Sequence, residues 1–160
     1  MLRKKIMNKP ELELNIQNAI SSFLERESDL LMVSANERSI TFKFGEILQS
    51  LFPNWTVDCE YNRDGYDPKI IQVPVENITS DDTKAKTIFP DIIIHHRNLS
   101  GMKNNLLIIE AKKDATKSEI GRDCEKIKII MSQLGYQYGV FLNFHTNSPF
   151  NIEYRFIDLN

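Results

Sequence analysis

The chain has 160 residues, of which 41% are hydrophobic and 26% charged, and its formal net charge is −2. These values are ordinary for one globular domain with a sizeable core, and we predict a single domain over residues 1–160. The small negative net charge argues against a protein that coats nucleic acid nonspecifically. Any contact with nucleic acid must therefore use local basic surface.

The sequence predicts a cytoplasmic protein with no membrane partner. The basic residues 1–5 are followed by the polar residues 8–10 in place of the apolar segment of a signal peptide. No run approaches the roughly 20 apolar residues of a membrane span. Cys59 and Cys124 are too few for a disulfide scaffold or a four-cysteine zinc site. We expect both to be free thiols, with Cys59 in the core.

A first amphipathic helix is predicted over residues 11–27. Apolar side chains recur there at helical spacing with charges opposite, and Pro10 fits the first turn. We expect an N-terminal helical extension, about residues 11–34, that packs its apolar stripe on the domain. The alternative is a dimerisation helix, which makes a homodimer possible.

A second helix is predicted from Ala35 to Phe52. Ser34 and Glu37 have the spacing of a capping box, and Pro53 ends the helix. Glu37 shares the buried face of this helix with Ile40 and Phe44 because it lies three and seven residues before them.

The next segments predict strands separated by turns. Trp55–Tyr61 alternates apolar and polar residues, as a half-buried strand does. Residues 62–68 form a dense turn cluster. Residues 70–75 are β-branched but include Pro74, so we expect an edge strand at most. Residues 80–86 are polar, and we predict an exposed loop there.

A hairpin of two buried strands is predicted next. Residues 89–98 and residues 105–113 are dense in Ile and Leu, and the polar loop 99–104 between them contains Gly101. A helix opened by the capping pattern Thr116–Glu119 is expected to run to about Leu134.

Two final strands complete the predicted fold. Gly135 suits a helix C-cap, and strands are expected at Tyr138–Phe144 and Ile152–Ile157. A strand, a helix and a strand in succession make a βαβ unit, so the strands at residues 105–113 and 138–144 should be parallel. The predicted fold class is α/β (α+β mixed sheet), with a central mixed β-sheet flanked by helices.

Three charges interrupt the apolar strands of the hairpin: Asp91, Glu110 and Lys112. A buried charge is costly unless it is paired or bound. Glu110 and Lys112 are two residues apart and project from the same face. Asp91 reaches that face if its partner across the hairpin is residue 110 or 112. The alternative register would leave its carboxylate among apolar side chains, so we expect clustering.

Such a cluster suits a divalent cation. Neighbouring carboxylates repel one another, and Lys112 offsets only part of the charge of Asp91 and Glu110. Mg²⁺ bound by these two carboxylates and by water would supply the rest, activate a water molecule and stabilise charge on a phosphate. Lys112 could assist the attacking water or stabilise the transition state. Glu37 could contribute a third carboxylate.

Pro90-Asp91, eighteen intervening residues and Glu110-Ala111-Lys112 resemble the motif of the PD-(D/E)xK nuclease superfamily, in small standalone members. The resemblance covers about residues 35–145 and implies a restriction endonuclease-like core over residues 35–160. It also implies a Mg²⁺- or Mn²⁺-dependent nuclease that cuts DNA. Asp91, Glu110 and Glu37 would then be metal ligands, and Lys112 would assist hydrolysis. The Gln-x-x-x-Tyr pattern of exonuclease-like members is missing, because neither Tyr136 nor Tyr138 has that spacing from Gln133.

Four basic residues are candidates for contacts with nucleic acid: Arg63, Lys69, Lys113 and Lys117. The later basic residues of the last helix alternate with acids, and we expect them on an ordinary solvated helix face. Two functional alternatives remain open at this point. One is a catalytically silent nucleic-acid-binding or assembly module of the same fold, and the other is an RNA endonuclease.

Single residues have rival interpretations. Glu37 could serve only as the capping-box residue that bonds the Ser34 amide. Asp91 and Glu110 could pair with Lys112 as a structural ion cluster. His95 and His96 point to opposite faces of a strand and cannot chelate one ion together. We expect a structural role for His95, near the rim of the site.

Overall fold

A computed structural model gives the fold and describes residues 6–61 and 90–159, together with the backbone of four short strands between them. The helices are α1 Lys9–Arg26, α2 Ser28–Met32, α3 Glu37–Leu51 and α4 Lys117–Leu134. The strands are β1 Thr56–Cys59, β2 Arg63–Asp64, β3 Asp67–Pro68, β4 Ile70–Pro74, β5 Thr83–Thr87, β6 Ile92–His95, β7 Asn105–Lys113, β8 Tyr138–His145 and β9 Asn151–Ile157. Among these helices, none has the length and apolar composition needed to cross a bilayer.

The main sheet has five strands in the order β1-β6-β7-β8-β9. β7 and β8 run parallel, and every other neighbouring pair in this sheet is antiparallel. The helix α4 crosses over between the two parallel strands, as the βαβ pattern predicts. The predicted mixed sheet flanked by helices is confirmed.

One face of the sheet is covered by α1 and α3. The rings of Phe23 on α1, Phe44 on α3 and Phe144 on β8 pack with centroids 5.5–6.0 Å apart. The stripe on α1 is buried in the same apolar cluster as the sheet. The expectation that this helix packs its stripe on the domain is confirmed, and α1 is part of the core and not an appendage to it.

The opposite face of the sheet is covered by α4. Ile127 and Ile130 of this helix pack on Ile108 of β7 in a second apolar cluster. The contact is closest at Gly139 of β8, where an added Cβ would lie 2.4 Å from Ile127 Cγ2. A glycine at this position therefore lets α4 lie directly on the parallel strand pair.

The start of α3 differs from the prediction. Asn36 is the N-cap, and its side chain accepts a hydrogen bond from the Ser39 amide at 2.8 Å. Ser34 has a φ of 49°, which is left-handed and not a helix-start conformation. The capping box predicted at Ser34 is wrong because the short helix α2 ends at Met32 and the chain must turn before α3. The capping box at Thr116 and the Gly135 cap of α4 are confirmed.

A small hairpin outside the main sheet holds the segment predicted as an edge strand. β4 pairs antiparallel with β5, from Ile70 opposite Thr87 to Pro74 opposite Thr83. The exposed loop predicted for residues 80–86 is therefore wrong over residues 83–86. A polar strand is stable there because β4 satisfies its backbone groups, and terminal threonines favour extended backbone.

Candidate metal centre

Asp91 and Glu110 meet at the start of the central hairpin. Ile92 pairs with Ile109, so one further step of the same register puts Asp91 opposite Glu110. Asp91 Oδ2 accepts a hydrogen bond from the Ala111 amide at 2.8 Å, which holds its carboxylate at this point. The negative charge of Asp91 helps to raise the pKa of Glu110. The structure thus brings these two sequence-predicted carboxylates together.

Glu110 is a buried acid with a lysine as its neighbour. Its side chain is 3% exposed, and Lys126 Nζ on α4 lies 2.9 Å from Oε1. Burial raises the pKa of Glu110 well above its ordinary value, the charge of Asp91 adds to this, and Lys126 opposes it. Burial lowers the pKa of Lys126, but the charge and hydrogen bond of Glu110 together with the charges of Asp91 and Asp123 outweigh burial and raise it. Lys126 is therefore the cation next to this carboxylate.

Lys112 lies between carboxylates from two helices. Its Nζ is 3.9 Å from Glu37 Oε1 on α3 and 3.9 Å from Asp123 Oδ2 on α4. Burial raises the pKa of Asp123, and the charges of Lys112 and Lys126 oppose that rise. The Lys112 side chain is 33% exposed, so its ammonium remains accessible to a ligand.

Glu37 connects α3 to the end of β7. Its Oε2 accepts a hydrogen bond from the Lys113 amide at 3.2 Å, while its Oε1 faces Lys112. The capping role predicted for Glu37 is wrong because Asn36 is the N-cap and Glu37 is the first helical residue. Glu37 and Asp91 also line the same pocket. Glu37 therefore lies next to the site, where it faces Lys112 and lines the same pocket as Asp91.

The donor set fits a hard divalent cation in part. In proteins Mg²⁺ is commonly held by one or two carboxylates, with water and substrate phosphate completing the octahedron. Asp91 and Glu110 supply two carboxylates, and Glu110 Oε1 is buried with Lys126 Nζ 2.9 Å away. Over the same residues, no three His, Cys, Asp or Glu side chains converge as a ready-made metal site.

The remaining predicted contact residues have separate positions. Lys113 Nζ donates to the carbonyl oxygens of Ser34 and Ala35 at 3.3 and 3.2 Å, which ties β7 to the loop before α3. Lys117 is exposed at the first position of α4. The side chain of Arg63 and all of Lys69 lie outside the described residues, so their predicted contacts remain predictions.

His95 belongs to a separate polar cluster on the same hairpin. Its Nε2 lies 2.7 Å from Asp58 Oδ2, and Arg97 also donates to both carboxylate oxygens of Asp58. Burial alone would raise the pKa of Asp58, but the hydrogen bonds from Arg97 and His95 lower it. The position predicted near the rim is wrong, since His95 is buried after a bulge that follows Ile94. Its contacts fit the structural role that we expect.

Asp123 and Lys126 are the members of the site that the sequence interpretation missed. The solvated face predicted for the later basic residues of α4 is wrong at Lys126. The available signal was helical phase, because Lys126 lies four residues before the buried Ile130 and Asp123 four before the buried Ile127. This signal was hard to recognise because Asp123 and Lys126 carry opposite charges and lie among other alternating charges of α4.

Cys59 is half-buried, so the prediction that it lies in the core is confirmed only in part. Burial, followed by the charge of Asp58, raises the pKa of its thiol to about 11. Cys124 is also half-buried, and both cysteines are free thiols.

No protein-family model and no curated protein matches this chain. Among solved structures, the chain is similar to the one titled "Crystal structure of SSO0001". The two are 13% identical with a TM-score of 0.39, and the similarity covers 93% of this chain and 79% of that one. This likeness is too distant to indicate a function.

Proposed function

We propose that this protein is a divalent-metal-dependent nuclease that hydrolyses phosphodiester bonds in nucleic acid, with DNA as the substrate tested first. The observation that supports the proposal is the pair of carboxylates, Asp91 and Glu110, at the start of a hairpin of buried strands. Two acids held together at a cost to folding are typical of a site that binds something. A restriction endonuclease-like core is part of the same proposal.

Asp91 and Glu110 would hold Mg²⁺ or Mn²⁺ in this proposal. The ion would supply activation of a water molecule and stabilisation of charge on the phosphate. Asp91 is oriented for this by the Ala111 amide, and Glu110 by its place in the middle of the sheet. The buried position of Glu110 also keeps water away from one side of the site.

Lys112 would stabilise the negative charge that develops on the phosphate. Its ammonium is held from two sides, by Glu37 and by Asp123, at 3.9 Å each. The two acidic neighbours limit the conformations of Lys112. Glu37 and Asp123 are therefore positioning residues for Lys112.

Lys126 would have a different role. It lies 2.9 Å from Glu110 and neutralises that carboxylate when no other cation is bound. Since a divalent ion on Glu110 brings its own positive charge, it must compete with Lys126 for the same oxygen. Lys126 therefore stabilises the metal-free protein and weakens binding of the metal.

The test is cleavage of supercoiled DNA, linear DNA and single-stranded RNA in Mg²⁺ or Mn²⁺. We expect Lys112→Ala and Asp91→Ala to lower the rate by about 100-fold or more, as loss of one charge-stabilising group does. Lys128→Ala is the matched control, because Lys128 is an exposed lysine of α4 that pairs only with Glu125 among described residues. Cleavage that survives both site substitutions would show that the site is elsewhere.

A nucleic-acid-binding or assembly module is the second candidate. The Glu110–Lys126 ion pair favours it, because this pair neutralises the buried acid without a metal. Calorimetric titration with Mg²⁺ and Mn²⁺ separates the two candidates. Absence of metal binding, together with absence of cleavage of any DNA or RNA, would favour the module.

A further inference from the structure

Phe42 is an exposed aromatic residue on the wall of a pocket. Its side chain is 54% exposed on α3, although phenylalanine is usually buried in a folded domain. The pocket has a volume of about 290 Å³, and Asp91 lies on its wall. An apolar ring and a candidate metal ligand therefore face the same small space.

The rest of the lining is mostly charged, with the carboxylates of Glu37, Glu60 and Asp91 and the guanidinium of Arg38 beside Thr41 and Cys59. Thr41 and Cys59 lie at the side where α3 packs on β1, and the raised pKa of Cys59 keeps its thiol neutral. The ring supplies the apolar surface, and the carboxylates are acceptors for the amino and ring N–H groups of a nucleobase. The volume is at the lower end of the usual range, which starts at roughly 300 Å³, so the pocket suits one ring system.

Two cations lie near the ring, and each is paired with a carboxylate. Arg38 is one helical turn before Phe42, and its Nε lies 3.3 Å from Glu60 Oε1 in an exposed ion pair. Lys43 Nζ lies 6.0 Å from the centroid of the Phe42 ring and 3.1 Å from Glu46 Oε2. Proteins that bind single-stranded nucleic acid stack its bases on exposed aromatic side chains that have basic residues nearby.

We propose that this pocket binds one unpaired nucleobase, stacked on Phe42, in the nucleotide next to the phosphodiester held at Asp91. The inference rests on the proposed function for the identity of that phosphodiester and narrows the substrate class. A base inside a duplex cannot reach the pocket without leaving its stack. The preferred substrates are then single strands, flaps or gaps, and not intact duplex.

The close packing of α3 on β1 fixes the pocket. An added Cβ at Gly45 would lie 2.8 Å from Cys59 Sγ, so this glycine lets α3 approach the strand next to the pocket. Phe42 is therefore presented by a rigid helix. Its ring stacks a base with little loss of side-chain entropy, because phenylalanine has only two side-chain torsions.

The experiment measures binding of a single-stranded oligonucleotide containing 2-aminopurine, whose fluorescence falls on stacking, in Ca²⁺, so that a divalent ion offsets the charge of the carboxylates beside the phosphodiester. We expect wild type to bind it more tightly than the same sequence in a blunt duplex. We expect Phe42→Ala to weaken binding by about 5- to 100-fold, which is the usual contribution of one stacked base, and Phe42→Trp to retain it. Leu14→Ala is the control, because Leu14 is equally exposed at 55% on α1.

Equal binding by wild type and Phe42→Ala, or tighter binding of the blunt duplex by wild type, would overturn the inference. The two proposals can fail separately. If wild type cleaves DNA, and Phe42→Ala cleaves single strands and flaps at the same rate as wild type, the base pocket alone is refuted. Stacking that depends on Phe42, in a protein that cuts no nucleic acid, supports the pocket and refutes the nuclease.

Discussion

Glu110 is the residue at which burial and charge conflict most strongly. β7 is buried on both faces over most of its length, and Glu110 lies in it between Ile109 and Ala111. An isolated carboxylate at this position would be strongly destabilising. The structure offsets the cost through Lys126, and the proposed function offsets it through a divalent ion.

Replacing Glu110 with Gln should change how stability depends on pH. The raised pKa means that the folded protein holds this proton more tightly than the unfolded chain. The contribution of Glu110 to the free energy of unfolding should therefore be largest below its unfolded-state pKa and should fall as pH rises through its folded-state pKa. Denaturant titrations between about pH 4 and about pH 8 measure this slope.

We expect Glu110→Gln to flatten the dependence of the free energy of unfolding on pH. Glu125→Gln, which changes an exposed acid, is the control and should leave that dependence as in wild type. Part of the slope should survive in Glu110→Gln, because burial also raises the pKa of Asp123. If wild type and Glu110→Gln show the same slope, Glu110 is not a buried acid of the kind described.

At the scale of single residues, part of the candidate site could be predicted from the sequence. Asp91, Glu110 and Lys112 could be predicted because strand parity is strict, and a charge in an apolar strand is conspicuous. Lys126 could not, because a charge on an amphipathic helix is ordinary and only the packing of α4 shows that it points inward. The contact of Glu37 with the Lys113 amide joins residues 76 apart in sequence, and no local pattern indicates it.

Among the elements, α4 determines the geometry of the site. It lies on β8 at Gly139, and this contact sets the height of Asp123 and Lys126 above β7. An added Cβ at Gly139 would lie 2.4 Å from Ile127 and 2.6 Å from Met131, so α4 must move outward or the side chains must repack.

Gly139→Ala should therefore lower the free energy of unfolding by about 1–3 kcal/mol, as overpacking of a core does. Gly121→Ala is the matched control, since Gly121 is exposed on α4 and an added Cβ meets nothing within 4 Å. That change should stabilise the protein by about 1 kcal/mol through helix propensity. Denaturant unfolding measures both, and equal effects of the two substitutions would contradict the described contact.

Lys126→Met should strengthen metal binding while keeping most of the side-chain length. Removing the ammonium that competes at Glu110 removes an ion pair whose worth at this partly exposed lysine is about 1 kcal/mol, so we expect about fivefold tighter binding of Mn²⁺. Calorimetry at mildly alkaline pH measures it. Lys128→Met controls for the charge of the helix, and weaker binding by Lys126→Met would show that Lys126 supports the metal site.

Element boundaries were predictable where the chain terminates helices locally. The Thr116 box and Gly135 cap depend on neighbouring residues alone, and the structure has both. The start of α3 was not, because Ser34 and Asn36 are both good cap residues and the turn after α2 decides between them. β5 could not be predicted because its pairing with β4, and not its own composition, makes it a strand.

At the scale of the whole molecule, the mixed sheet separates an apolar layer from a layer that carries the site. α1 and α3 cover the first face with aromatic and aliphatic side chains, while α4 brings charge to the second. Glu37 crosses between the layers, since it starts α3 and reaches the end of β7. The predicted mixed sheet follows from the order of elements, which the sequence shows clearly.

Phe23→Ala should destabilise the whole domain by about 3–5 kcal/mol, as removal of a buried aromatic ring does. Phe23 contacts both Phe44 and Phe144, so its loss leaves a cavity between α1, α3 and the sheet. Leu14→Ala on the exposed side of the same helix should change stability by less than about 0.5 kcal/mol. A small effect of Phe23→Ala in thermal or denaturant unfolding would mean that α1 packs only loosely.

The arrangement of α4 over β7 has a consequence for how such a site can diverge. β7 is fixed by hydrogen bonds to β6 and β8, so its carboxylate cannot move without disturbing the sheet. α4 contributes to the charge balance through two side chains, Asp123 and Lys126. Substitution at these two positions alone could tune the preference between a proton, an ammonium and a divalent ion. The strands therefore contain the fixed part of the site, and α4 contains the part that substitutions can adjust.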